Sequence, residues 1–328
     1  MAKTKSGTIT TWQQATPLLS VFRLMPENGS QFPTYKAGQY IALRRDDCML
    51  TKKIVGAHGE AEYVPNLDAD GKQKIGPVTH SYSIASPPFE TTQHGYLEFY
   101  VILEKDEKGM SGRLTESLFR MSPQGDNHLT YYEVITGTFT LDKRANDCHK
   151  VVFVGTGTGL APFVAIVKQL DFEARNGNRS ENKYTLIHAN RTFEELDYYD
   201  ELCALEKAQN IDFMYVPSVS RDVSVERLNP AIGKGRANNL LRHIFEMPLK
   251  EEQDLQEALA KGEDTSRAQK NLDKTTRPAL PQNISREQLR ARMDAPKSVI
   301  ITCGNPWSMA DIKFVADANQ IRFEKEDW

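Results

Sequence analysis

Short runs that mix apolar and polar positions fill the chain up to about residue 145, with turn-forming residues between them. The runs read LLSVFRL (18–24), QYIALRR (39–45), HSYSIAS (80–86), YLEFYVILE (96–104) and TYYEVITGTF (130–139). Short strands at this spacing, punctuated by Pro, Gly and Asn, predict an antiparallel barrel or sandwich.

The pattern changes at the polar stretch 141–150, which is suited to a linker. After it, the apolar strand VVFVG is followed by PFVAIVKQLDFEA, KYTLIHAN, DYYDELCALEKAQ and DFMYVPSVS, in which helix-like and strand-like runs alternate. This alternation predicts a doubly wound α/β domain with a parallel sheet. The chain is therefore predicted to have two domains, an antiparallel β-barrel over 1–145 and an α/β domain over 146–328.

Residues 246–292 interrupt the α/β pattern. They are rich in charge and poor in aromatic residues, which favours one or two solvated surface helices around a flexible, Pro-containing link. A lid or docking arm near a cofactor is the alternative, and only the length of the insertion favours it.

Composition limits the function classes. The chain has 328 residues, of which 39% are hydrophobic and 26% charged, and 41 basic side chains against 44 acidic ones leave a net charge of −3. This balance gives no global electrostatic reason to expect a nucleic-acid partner. The N-terminus lacks the apolar core of a secretory signal and no run reaches 18 apolar residues, so we expect a cytoplasmic protein without a membrane span.

The four cysteines are widely spaced. None forms the close pairs that zinc sites and iron–sulfur clusters require, so no metal site is predicted. Thiols without pairing partners are typical of a reducing compartment. The positions are Cys48, Cys148, Cys203 and Cys303.

The strongest local signal is VVFVGTGTGLAPF, residues 151–163. A buried strand runs into alternate glycines, which let the backbone turn tightly and approach a ligand, and a helix N-terminus would then face a pyrophosphate. A tight strand-to-helix turn also needs glycine for geometry alone, and the absence of Lys-Ser/Thr excludes a nucleoside triphosphate P-loop. The candidate cofactor-binding residues are Gly155, Thr156, Gly157, Thr158, Gly159 and Pro162.

This loop resembles the dinucleotide loop of the ferredoxin–NADP reductase family, and further motifs follow in the family's order. They are HSYSIAS, KGMSGRL, GTGTGLAPF, HANRTFEEL, VSRD, CGNP and the terminal EDW. The set is most similar to the bacterial branch, whose members often end in an aromatic residue. The resemblance implies an FAD-binding barrel followed by an NADP-binding α/β domain, the same plan as the one predicted above.

For the flavin, the resemblance implies roles for Tyr82 and Ser83. In the family's Arg-x-Tyr-Ser strand the tyrosine packs on the isoalloxazine and the serine can hydrogen-bond near its N5 atom. His80 stands where the family has arginine, so its pyrophosphate contact would depend on pH, and Arg113 is a candidate to compensate. Without the other motifs, a tyrosine packed in the barrel and a water-facing serine would be favoured.

The motif KGMSGRL resembles the family's loop near the FAD phosphates, which makes Gly109 and Ser111 candidate contacts. Ser111 is also a plausible N-cap for a helix that starts here.

Three arginines are candidates for the ribose 2′-phosphate that distinguishes NADP(H) from NADH. By the resemblance, Arg191 and Arg221 match family positions that contact this phosphate, and Arg236 in GKGR is the third candidate. Each alone could be a solvated surface residue; together they favour NADP(H).

The C-terminal motifs carry the remaining candidates. By the resemblance, Cys303 shapes the nicotinamide site, Glu326 supplies a proton or positions the nicotinamide, and Trp328 covers the flavin until the nicotinamide displaces it. Taken singly, the three would be a small buried hydrophobe, an exposed acid and a packing residue.

The resemblance implies hydride transfer between NADP(H) and FAD, followed by single-electron exchange with ferredoxin or flavodoxin. Because the chain lacks a cysteine cluster, such a carrier would be a separate protein. A reductase of an oxygenase system, a diaphorase or a flavin reductase would have the same fold and cofactors, and a flavin-binding sensor is the non-enzymatic alternative.

Overall fold

The computed structural model describes residues 3–55, 61–106, 109–221 and 229–326. The chain divides into two compact units, Met1–Gly137 and Thr138–Trp328. The first unit thus ends at Gly137, earlier than the predicted domain boundary at residue 145. The polar stretch that suggested a linker is folded into the second unit, where Arg144 pairs with Glu324 at 2.9 Å.

The described part of the first unit is mainly β-structure. Its strands are β1 (Thr4–Thr16), β2 (Leu19–Pro26), β3 (Tyr40–Met49), β4 (Thr51–Val55), β5 (Ala61–Pro65), β6 (Ile75–Ser83), β7 (Leu97–Ile102) and β8 (His128–Thr136). Six of them form an antiparallel sheet in the order β6-β3-β8-β1-β2-β7. The short helices are α1 (Pro88–His94) and α2 (Arg113–Phe119).

Inward-facing side chains of this sheet build one apolar core that includes Phe22, Leu43 and Phe99, and α2 adds Leu114 and Leu118 to it. Strand β1 and the strands β4 and β5 were not predicted. The polar N-terminal run forms β1, the longest strand of the unit, and β4 pairs with β5 as a separate two-stranded hairpin.

The second unit alternates strands and helices. Its strands are β9 (Lys150–Thr156), β10 (Lys183–Asn190), β11 (Asp212–Val219), β12 (Gly233–Lys234), β13 (Ser298–Cys303) and β14 (Arg322–Lys325). The helices within the described ranges are α3 (Leu141–Arg144), α4 (Ala161–Arg175), α5 (Tyr199–Ala208), α6 (Ala237–Ile244), α7 (Lys250–Lys261), α8 (Ser266–Asp273), α9 (Arg286–Arg290) and α10 (Pro306–Ala318).

The six strands form a parallel sheet in the order β12-β11-β10-β9-β13-β14. The chain proceeds from β9 towards one edge and then returns to place β13 on the other side of β9. The sheet thus has a topological switch point between β9 and β13, where open α/β sheets bind their ligands. The predicted fold class, an antiparallel barrel-type domain followed by a doubly wound α/β domain, is confirmed.

The charged insertion is more firmly packed than predicted. It contains α7, α8 and α9, and Glu251 and Leu289 are buried. Lys234 on β12 forms a backbone bridge with Ala279 in the link between α8 and α9. These contacts place the insertion along the β12 edge of the sheet. Three helices stand where one or two solvated surface helices were predicted, and most of their residues are at least partly exposed. No helix in the described ranges is both long and apolar enough to cross a membrane.

Candidate functional site

In the first unit, Tyr82 and Ser83 lie at the C-terminal end of β6. Tyr82 opposes Ile41 on β3, is half-buried and packs against the apolar core. Its burial raises the pKa of the phenol, which therefore stays protonated at neutral pH. Ser83 is only 8% exposed, and its hydroxyl has no hydrogen-bond partner among the described residues. A buried hydroxyl without a partner is one that a bound flavin edge could satisfy.

His80 lies on the same strand, opposite Leu43, with its outer part exposed. Partial burial, and secondarily the positive charge of Arg113, lower the pKa of its imidazole, while Glu104 opposes the shift. The imidazole is therefore mainly neutral at pH 7 and would become a cation only in more acidic solution or beside a bound anion.

Ser111 and Arg113 line a cavity of about 140 Å³ in the first unit. Helix α2 begins at Arg113 with Gly112 as its N-cap, so the alternative role of Ser111 as N-cap is excluded. Gly109 has φ +80°, a left-handed conformation that favours glycine, and the space around it is open.

In the second unit, the glycine loop follows β9 as a 3₁₀ turn, Gly157–Leu160, that leads into α4. Gly157 has φ +56° and faces open space, whereas a Cβ on Gly159 would lie 2.2 Å from the carbonyl oxygen of Cys303. Gly159 is thus required because the loop packs against the end of β13. Thr156 and Thr158 are partly exposed, and Pro162 is buried in the first turn of α4.

Two further candidates lie at the ends of β13 and β14, and Cys303 is the one in contact with this loop. Cys303 is buried, lies at the last position of β13 and pairs with Gly155 of β9. Glu326 is 4% exposed, and its N–H donates to the carbonyl of Thr302 at 3.0 Å. The alternative of Glu326 as an exposed acid is therefore wrong. Trp328 lies outside the described residues.

Two of the three arginines predicted for the 2′-phosphate end neighbouring strands. The N–H of Arg221 donates to the carbonyl of Arg191 at 2.8 Å. Arg191 is held by the carboxylate of the buried Glu195. This carboxylate accepts hydrogen bonds from Nε and from the backbone N–H of Arg191, both at 3.0 Å, and forms an ion pair with Nη2 of Arg191 at 2.5 Å. Arg221 is exposed.

Arg236 also has a carboxylate partner, since its Nη1 lies 3.2 Å from the buried Glu251 of α7. Sequence reasoning missed both partners. Glu195 follows Arg191 at i+4 inside HANRTFEEL and could have been found from that spacing. Glu251 lies in the charged insertion, where nothing in the pattern separates it from its acidic neighbours.

Comparison with known proteins agrees with this arrangement. Residues 153–256 match the oxidoreductase NAD-binding domain family. A flavodoxin/ferredoxin–NADP reductase from Buchnera aphidicola is 31% identical over 157 residues, 48% of this chain and 54% of the relative. A ferredoxin–NADP reductase from Azotobacter vinelandii is 30% identical over 163 residues, which are 48% of this chain and 55% of the relative. The chain thus spans about half the length of these curated relatives.

Among solved structures, the ferredoxin NADP⁺ reductase from Neisseria gonorrhoeae with bound FAD and NADP has a TM-score of 0.59 and 22% identity, and 99% of each chain is covered. The fold has a barrel-type domain followed by an α/β domain with the glycine loop at its switch point, and part of the α/β domain matches the oxidoreductase NAD-binding domain family. Over about half of its length the chain is similar to ferredoxin–NADP reductases, which agrees with the resemblance carried by its sequence motifs.

Proposed function

We propose that this protein is an FAD-dependent oxidoreductase that transfers hydride between NADP(H) and FAD and single electrons between FAD and a separate ferredoxin or flavodoxin. The observation that carries the proposal is the buried hydroxyl of Ser83, which lacks a partner among the described residues and directly follows the half-buried Tyr82 at the end of β6. Burying a hydroxyl without a partner costs about 1–3 kcal/mol, and a bound group that hydrogen-bonds to it would remove that cost.

The chain's own residues can perform the tasks that such a reaction requires. A bound flavin would supply the redox chemistry, by accepting two electrons as hydride and releasing them singly. Tyr82 would hold the planar ring through its aromatic face, and Ser83 would orient the reactive edge. In the second unit, the loop from Gly155 to Gly159 would carry the dinucleotide phosphates at the start of α4, a helix long enough to present free N–H groups to them.

Cys303 ends β13 next to this loop and Glu326 directly follows the adjacent strand β14, and we propose that they bound the nicotinamide pocket. Cys303 would limit the space around the ring without forming a covalent bond. Glu326 would hold a proton or an amide group of the ligand, since its buried position restricts the carboxylate to few orientations. Arg191, Arg221 and Arg236 would favour the 2′-phosphate.

Absorbance spectroscopy tests the cofactor and the electron donor together. We expect the purified protein, or the protein incubated with FAD, to be yellow, and we expect NADPH to bleach it without oxygen. A protein that remains colourless after incubation with FAD would contradict the proposal and support a role without flavin chemistry.

The acceptor is tested separately, by comparing turnover with ferredoxin, flavodoxin and free quinone or flavin. Slow transfer to both protein carriers would replace the carrier assignment with that of a diaphorase or an oxygenase reductase. The names of the Buchnera and Azotobacter relatives support a protein carrier.

A further inference from the structure

The charged insertion is fastened to the side of the parallel sheet that carries the arginines predicted for the 2′-phosphate. In the link between α8 and α9, the hydroxyl of Thr276 donates to the carbonyl of Ser220 at 2.5 Å, and Ser220 directly precedes Arg221. Lys234 of β12 and Ala279 of the link exchange two backbone hydrogen bonds, at 2.7 and 3.1 Å. The link therefore lies along β12 as a short additional edge.

Two glycines in the GKGR segment permit this close approach. A Cβ on Gly233 would lie 2.7 Å from the carbonyl oxygen of Ala279, and one on Gly235, which has φ +104°, would lie 3.1 Å from Cα of Pro278. Both positions therefore require a residue without a side chain. The carbonyl of Gly235 also accepts from the buried hydroxyl of Ser218 at 2.8 Å. The backbone of this segment is thus fixed on one side by the sheet and on the other by the insertion.

The insertion also brings a carboxylate to the side chain of Arg236. Glu251, in the first turn of α7, is only 7% exposed, and its Oε1 lies 3.2 Å from Nη1 of Arg236. Its Oε2 accepts from Nδ2 of Asn239 at 2.8 Å, and Asn239 is fully buried. The backbone N–H of Lys250 donates to Oδ1 of Asn239 at 3.0 Å, which fixes the orientation of the amide. The carboxylate of Glu251 is therefore held in one position.

This arrangement makes the carboxylate a competitor of any anion that approaches Arg236. The guanidinium reaches the surface, with 62% of the side chain exposed, whereas Glu251 is buried and its charge is only weakly screened. A phosphate at this guanidinium would meet a pair whose formal charges cancel. With the dielectric constant of water and physiological salt, one negative charge about 6 Å from a dianion weakens its binding by roughly three- to tenfold.

We propose that the insertion adjusts the cofactor preference of the second unit, because Glu251 holds the guanidinium of Arg236 and reduces its attraction for a ribose 2′-phosphate. This inference rests on the proposed use of NADP(H). Glu251 touches no cofactor in this role and is a positioning residue that acts through Arg236. The insertion thereby lowers the affinity for NADP(H) and narrows the difference between NADP(H) and NAD(H).

Isothermal titration calorimetry of the full chain with 2′,5′-ADP and 5′-AMP tests the inference. The two nucleotides differ only in the 2′-phosphate, and neither requires a bound flavin. Glu251→Gln should tighten the binding of 2′,5′-ADP by roughly three- to tenfold and leave the binding of 5′-AMP unchanged. Because Asn239 presents its Nδ2 donor, the new amide would turn its oxygen to Asn239 and its NH₂ group to Arg236, which releases the guanidinium.

Arg236→Ala shows whether the effect passes through Arg236. In that background, Glu251→Gln should no longer tighten the binding of 2′,5′-ADP. An equal gain with and without Arg236 would mean that Glu251 acts only by its negative charge, and it would overturn the inference.

The matched control is Glu252→Gln. It removes the same charge from the next residue of α7, but Glu252 pairs with Arg277, at 2.9 Å. Both dissociation constants should stay at the parent values. A gain as large as that of Glu251→Gln would show an effect of net charge, and the role of Glu251 would be rejected.

Glu251→Asp provides a second arm that keeps the charge and decides the question if Glu251→Gln does not fold, as judged by circular dichroism. A side chain shorter by one methylene cannot contact both Asn239 and Arg236, so binding of 2′,5′-ADP should again become tighter, by about twofold. A parent that does not prefer 2′,5′-ADP to 5′-AMP would refute the proposed use of NADP(H). A parent that prefers 2′,5′-ADP, with folded variants of Glu251 that bind it equally well, would refute only the role of Glu251.

Discussion

Removal of the Ser83 hydroxyl should have opposite effects on the flavin-free and the flavin-loaded protein. Without flavin, the hydroxyl is buried and has no partner among the described residues, so Ser83→Ala removes a cost of about 1–3 kcal/mol. A small void left by the oxygen offsets part of this gain. We therefore expect the flavin-free variant to be more stable by about 1 kcal/mol, a rise in Tm of roughly 2–4 °C.

In the loaded protein the same substitution deletes a hydrogen bond to the flavin. A loss of about 0.5–1.5 kcal/mol corresponds to FAD binding that is weaker by roughly 2- to 12-fold. The two measurements are thermal unfolding of the flavin-free protein and titration with FAD. Anaerobic stopped-flow reduction by NADPH adds a third, in which we expect the variant to be slower.

Ser20→Ala is the matched control. Ser20 lies on β2 of the same sheet, is fully buried, and its hydroxyl also lacks a partner among the described residues. It should give a similar gain in Tm and leave FAD affinity and reduction rate unchanged. If Ser83→Ala lowers the Tm of the flavin-free protein and leaves FAD affinity at the parent value, the placement of the flavin edge at Ser83 is refuted.

Three further predictions concern the cofactor phosphates and the C-terminus. In steady-state kinetics, the double variant Arg191→Ala, Arg221→Ala should raise the KM for NADPH about tenfold more than the KM for NADH, because charge-assisted hydrogen bonds to the 2′-phosphate are lost. An equal rise in both KM values would show that these arginines do not bind the 2′-phosphate. Because the pKa of His80 is lowered, FAD affinity should increase as the pH falls below about 6.5 and the imidazole becomes protonated. In titrations between pH 5 and 8, His80→Arg should reduce this pH dependence, and a parent protein with pH-independent FAD affinity would show that His80 does not contact the phosphates. Deletion of Trp328 should tighten NADP(H) binding and weaken discrimination against NADH, and unchanged affinities for both would contradict its covering role.

The fold could be predicted from the sequence wherever a signal is local. Alternating strands and helices after residue 150 predict the parallel sheet, and the glycine loop marks its switch point because a tight turn and close packing exclude side chains there. Strand β1 was not predicted because its sequence, TKSGTITTWQQAT, has few apolar residues. It forms a strand because its backbone pairs with β2 on one side and β8 on the other. The β4–β5 hairpin was missed for a similar reason, since most of its described residues are polar or exposed.

The candidate site was less predictable than the fold, because burial and pairing depend on distant residues. The motif placed Glu326 at the C-terminus, but only the sheet shows that the carboxylate is buried beside Thr302. Nothing in the sequence indicated that Glu116 would share a cavity with Met49, since the two are brought together by the packing of α2 against β3.

The ion pairs change what the arginines can contribute to cofactor selection. An arginine without a carboxylate partner can direct its whole charge to a 2′-phosphate, but Arg191 and Arg236 already have buried carboxylate partners, Glu195 and Glu251. A bound phosphate would have to share these guanidinium groups or displace the carboxylates, and a buried carboxylate left without its partner is costly. Arg191 and Arg236 should therefore contribute less to discrimination than two free arginines would, and the exposed Arg221, whose backbone is held by Arg191, should contribute the larger share.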